Sequence, residues 1–111
     1  MQRDLTYMED VLIAARLALQ YLGNNTLEQF LEDGQCQDAV VRRIEIMGEA
    51  VRRISDDVKR RFPQVPWDEF RRMRNEMIHE YEEVDFYFLY DFIHANFPIW
   101  IPELEKILSE N

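Results

Sequence analysis

A chain of 111 residues, 47% of them hydrophobic and 32% charged, has the composition of one soluble globular domain spanning residues 1–111, and no apolar run approaches the roughly 20 residues of a membrane span. The opening MQRDLTYMED has acids where a signal peptide needs an apolar core, which argues against export. A single cysteine, Cys36, excludes an internal disulfide and fits a reducing cytoplasm, and a formal charge of −9 argues at first against nucleic acid, because phosphate is held by Lys and Arg.

Three glycines and four prolines, with no Ser- or Gly-rich tract, leave little room for linkers or sheets, so an all-α reading follows: an up-and-down bundle of about five helices. The first runs from about Arg3 to Tyr21, with Val11, Leu12, Ala15, Ala18, Leu19 and Leu22 at helical spacing. GNNT stops it, and Asn25 or Thr26 can cap a short second helix through Phe30 and Leu31. EDGQC is the next break. The third helix is predicted from about Gln37 to Arg61, with a narrow apolar seam of Val40, Ile44, Met47, Val51, Ile54 and Val58. Gly48, in its middle, costs about 1 kcal/mol relative to alanine, which close approach of another helix would offset.

Charge is unevenly spread. Ten of the 13 basic residues fall between 42 and 74 against six acids, so that segment is +4 and the remainder −13. A basic segment of this kind is either a phosphate-binding face or a solvated helix laced with Glu-to-Arg pairs. RFPQVPW ends the third helix, since prolines cannot continue it, and Pro66 suits the first position of a fourth. A fifth helix from about Asp85 to Ser109, bent near Pro98 or Pro102, carries seven of the 14 aromatics on more than one face. So small a domain has few helices to cover those faces, which points to sharing with a second subunit.

The fourth helix holds the candidate chemistry. Trp67, Phe70, Met77, Ile78 and Tyr81 fall on one stripe about 100° wide with Arg74 in its middle, where a guanidinium must meet an acid, a carbonyl or a ligand's phosphate. Glu49 is a surface acid that could serve as that partner. Tyr81 stands two turns from Arg74 on the same face, but His79 is about 140° away. To bring all three together, either the helix loosens near His79 or a second copy supplies its own His79 or Arg74 across a two-fold axis. Asn75 shares a face with His79 and could fix its tautomer. Cleavage of RNA by its own 2′-hydroxyl needs a group that moves protons near neutral pH and a fixed cation for the phosphate, roles that histidine and arginine fill without metal or cofactor.

The segment RNEMIHEY follows the Arg, four residues, His, one residue, Tyr signature, and by it the chain resembles the HepT-like toxins of the HEPN superfamily. The likeness extends upstream through DAVVRRIEIMGEAVRRI, FPQVPW and MRN and onward through VD, covering about residues 37 to 85 in register. The resemblance implies an all-α homodimer whose composite site lies between subunits, acting as a metal-independent ribonuclease on RNA. Carried over by position, Arg74 and His79 would be the catalytic pair, Asn75 would support them, and Tyr81 would be AMPylated by a cognate MntA-like nucleotidyltransferase antitoxin. Family members commonly have HGYFG where this chain has HEYEE, and often Gly where it has Arg72.

Other readings are weaker. His79, Glu80 and Glu83 echo zinc-protease helices, but the second histidine ligand is lacking. His94, among aromatics, reads as a core or interface histidine, and Cys36 has no histidine nearby in sequence to activate it. The competing functional class is a non-catalytic helical dimer that binds the nucleotidyltransferase and presents Tyr81.

Overall fold

Apolar residues at three- and four-residue steps fold the N-terminal stretch into α1 (Gln2–Leu22), with Met8, Val11, Leu12, Ala15, Ala18 and Leu22 buried. The computed structural model describes residues 2–79 and 83–111, with residues 77–79 followed as backbone alone. Gly23 ends α1 with a φ of 51° and gives its N–H to the Leu19 carbonyl at 2.9 Å, a left-handed cap that a side chain would resist. Of the two caps open for α2 (Leu27–Leu31), Thr26 is used: it forms a capping box with Gln29.

Asp33 caps α3 (Gly34–Arg53) by accepting the Cys36 N–H at 3.0 Å. The single helix expected to Arg61 is broken at Ile54, whose backbone is extended, and Ser55 caps a separate α4 (Asp56–Arg61). The cause lies at the other end of the chain. Asp4 on α1 is buried and accepts both the Ser55 N–H at 2.7 Å and the Ser55 hydroxyl at 3.1 Å, so the Ser55 N–H points away from the α3 ladder. The apolar seam survives the break, with Val40, Ile44, Met47, Val51, Ile54 and Val58 all buried.

Pro66 stands just before α5 (Trp67–Met77) rather than at its first position, its carbonyl accepting from Glu69 and Phe70. At Ile78 the backbone leaves the helix for a two-residue strand, β1 (Ile78–His79), which pairs antiparallel with β2 (Glu83–Val84) in the register Ile78↔Val84 and His79↔Glu83. Asp85 then caps α6 (Phe86–Glu110), which continues through Pro98 and Pro102. Among the described residues the architecture is therefore six helices and this one short ladder.

The longest contact is α1 along α3; α6 lies on α1, α5 packs on α3 and α6, and α2 closes one end where Phe30 meets the rings of Phe86 and Tyr90. Leu89, Phe92, Ile93, Phe97 and Trp100 of α6 enter the core, whereas Tyr87 and Ile99 remain 62% and 64% exposed. His94 is exposed too, its ring tilted against that of Tyr90 and its Nδ1 2.9 Å from the Tyr90 carbonyl, so it is no core histidine. No helix among the described residues is long and apolar enough to cross a membrane.

Candidate functional site

The orientation of α5 decides where its charges go. Phe70 and Met73 are fully buried, Phe70 with its ring centroid 4.4 Å from that of Trp100, and they centre the buried face about 70° from Arg74 at 100° per residue. Arg74 is consequently exposed at the margin of that face, not in the middle of an apolar stripe. The sequence stripe omitted Met73, which rotates the true face. Arg74 nevertheless has a built seat: a Cβ placed on Gly48 of α3 would lie 2.4 Å from its Cδ and 3.2 Å from its Nε. Glycine on α3 thus admits the arginine's stem, the close approach that Gly48 called for in the sequence.

Glu49 is not the partner of Arg74. It accepts from Arg52 at 2.8 Å and from Arg53 at 3.0 Å, and those hydrogen bonds, Arg52's foremost, hold its carboxyl down at about 2. Arg60 pairs with Asp57, Arg71 lies 3.6 Å from Asp68, and Arg72 is near Glu69 and Glu76. Five of the ten basic residues of the segment, Arg52, Arg53, Arg60, Arg71 and Arg72, therefore sit in Glu- and Asp-to-Arg pairs. Lys59 and Arg74 have no ion pair among the described residues.

Both of these cations line one cleft of about 410 Å³ between α3 and α5. Gly48, Val51 and Trp67 form apolar parts of its wall, with Arg52, Arg71 and Asn75 also facing it. The Trp67 N–H donates to the carbonyls of Lys59 at 3.1 Å and Phe62 at 3.0 Å, which ties the start of α5 to the end of α4. Trp67 and Lys59 were missed as cleft residues from the sequence. Trp67 was within reach, being seven residues from Arg74 and so only about 20° away; the place of Lys59 depends on the α3–α4 break.

Arg74 and Asn75 share this cleft. The helix loosens near His79: the backbone leaves it after Met77, so His79 is not held on a helical face. The His79 side chain, and Tyr81 altogether, lie outside the described residues. The partial zinc-helix reading also fails at its premise, since His79 and Glu83 are paired across a strand register and are not one helical turn apart. Cys36 gives its thiol to the Tyr21 carbonyl at 3.3 Å, and burial pushes its pKa up, the opposite of what a nucleophile needs.

Residues 11–110 match the family model described as Ribonuclease HepT-like. A protein of Thermococcus cleftensis bearing the name probable ribonuclease HepT is 38% identical over 91% of this chain and 92% of its own length. One from Methanocaldococcus jannaschii, provisionally named an RNase, is 31% identical over 94% and 86%. Another of that provisional name, from Caldanaerobacter subterraneus, is 33% identical over 94% and 89%. No solved structure matches the chain.

Proposed function

Because the chain belongs to the HepT-like ribonuclease family of the HEPN superfamily, we propose that it is the toxin of a toxin-antitoxin pair, an endoribonuclease that cleaves RNA without a metal ion. Arg74 and His79 are the catalytic pair of this reading. His79 takes the proton of the 2′-hydroxyl, the oxygen attacks the neighbouring phosphorus, and the bond from phosphorus to the 5′-oxygen breaks. The same proton returns to the departing oxygen, leaving a 2′,3′-cyclic phosphate and a 5′-hydroxyl. Arg74 holds the phosphate as charge builds on it, and Asn75 supports the pair. The observation that carries the reading is Arg74: a guanidinium seated on Gly48, without an ion pair among the described residues, at the mouth of a cleft.

The proposal includes a homodimer, for which the exposed Tyr87 and Ile99 on α6 are candidate contacts, and a cytoplasmic setting. It also includes neutralisation by an MntA-like nucleotidyltransferase that transfers AMP from ATP to the hydroxyl of Tyr81 with release of pyrophosphate. That bulky anion would compete with RNA for Arg74. Expression of the chain alone is expected to arrest growth, and His79→Ala to relieve the arrest; arrest that persists in this variant would remove the nuclease reading.

The acidic remainder of the chain favours one other reading, in which a non-catalytic dimer docks on a basic nucleotidyltransferase and presents Tyr81. Under either reading the intact mass rises by one or more AMP groups when the partner and ATP are added, and Tyr81→Phe abolishes the gain. Only the first predicts RNA cleavage by the unmodified protein.

A further inference from the structure

The geometry points to a nucleotide-binding subsite between α3 and α5 in which the ring of Trp67 carries a base of single-stranded RNA and Lys59 holds the phosphate next to the one at Arg74. The inference rests on the ribonuclease reading for the identity of the strand, and on the cleft for its place.

Three groups line this cleft together. Arg74 lies two helical turns beyond Trp67 on nearly the same face of α5, about 10 Å along the axis. Lys59 lines the same cleft, and its own carbonyl accepts the indole N–H, which ties its backbone to Trp67. The cleft thus holds one aromatic ring together with two cations. The indole N–H is taken up by the carbonyls of Lys59 in α4 and of Phe62 just after it, so the half-buried Trp67 offers a ligand ring surface and no donor. Stacking surface between backbone-tracking cations is how single strands are held without regard to sequence.

The acids of the cleft do not cancel this. Glu49 is held by Arg52 and Arg53, and Asp68 lies 3.6 Å from Arg71. Asp56 sits in the first turn of α4, where the helix dipole favours it. What the protein leaves unneutralised on this wall, among the described residues, is Lys59 and Arg74 against Asp56. A volume of about 410 Å³ lies in the range of pockets that hold small ligands, consistent with one nucleotide.

The test uses the full chain and a short 2′-O-methyl oligonucleotide, which lacks the attacking hydroxyl and so reports binding apart from cleavage. Trp100 is buried in the core, so quenching of tryptophan fluorescence on binding is expected to come from Trp67 and to vanish in Trp67→Phe. Lys59→Gln, which leaves the indole contacts to the backbone intact, is expected to weaken binding roughly fivefold and to reduce the salt slope of affinity by about 0.7. Quenching and a Lys59→Gln effect in a protein that does not cleave unmodified RNA would support the subsite while removing the ribonuclease reading. Cleavage of RNA with no quenching, or with affinity and salt slope unchanged in Lys59→Gln, would overturn the subsite and leave that reading standing.

Discussion

Gly48 and Arg74 form a pair in which the absence of one side chain makes room for another. Replacing Gly48 by alanine adds helix propensity worth about 1 kcal/mol in the interior of α3, but the new Cβ would fall 2.4 Å from the Arg74 Cδ. The arginine stem is flexible and exposed, so it can swing away, and the collision costs position more than stability. Gly48→Ala is therefore expected to change stability by less than about 1 kcal/mol while lowering RNA cleavage and oligonucleotide affinity about tenfold or more, a loss equivalent to roughly 1.4 kcal/mol. Thermal unfolding and a cleavage assay on the same preparation separate the two effects. A variant that melts far below the wild type would show Gly48 to be a packing residue first. The need for a close neighbour at Gly48 was legible in the sequence from the cost of a mid-helix glycine. That the neighbour is Arg74 was not, because omission of Met73 turned the expected face of α5 and set Arg74 among buried groups.

Among elements, the join between α3 and α4 is the one held from farthest away. Asp4 accepts two hydrogen bonds from Ser55; the one from the backbone N–H does most to keep its carboxyl below the usual range, with burial opposing. A carboxyl depressed in the folded state contributes stability at every pH above the ordinary carboxylate value near 4 and loses it as pH falls through the folded value. Asp4→Ala is expected to cost about 1–3 kcal/mol at neutral pH and to flatten the fall in stability below pH 4; equal acid sensitivity in the two proteins would remove Asp4 as its source. This join also explains what could be read from the chain and what could not. The seam from Val40 to Val58 follows local periodicity, and it predicted burial correctly across a break that it could not reveal. The break depends on a carboxylate 51 residues away, and no local pattern announces such a partner. The end of α5 at Met77 is similar: MIHEY has no proline or glycine to stop a helix, and strand pairing with Glu83 and Val84 overrides propensity there. The core alternative for His94 failed because several of its aromatic neighbours in sequence lie on the buried face of α6 while His94 itself is exposed.

At the scale of the whole molecule, a net charge of −9 must coexist with the RNA binding proposed above. The distances make that possible. The molecule extends 41 × 29 × 19 Å, whereas charges in 0.1 M salt are screened beyond about 10 Å, so acids far from the cleft are not felt there at ordinary ionic strength. At about 0.01 M the screening length grows to roughly 30 Å, comparable to the protein itself, and the acidic remainder then repels the strand. Of the four cleft cations, only Lys59 and Arg74 lack ion pairs among the described residues. Two phosphates neutralised on a single strand give a slope of log affinity against log salt of about −1.4, against roughly −2.8 if all four cleft cations took part. Titration of the 2′-O-methyl oligonucleotide from 10 to 300 mM salt is thus expected to show a slope near −1.4 above about 0.1 M that flattens toward the lowest salt. A slope that stayed straight and steep throughout would mean that the paired arginines release their acids to bind RNA, making the ion pairs of the basic segment part of the binding surface and not its neutral surround.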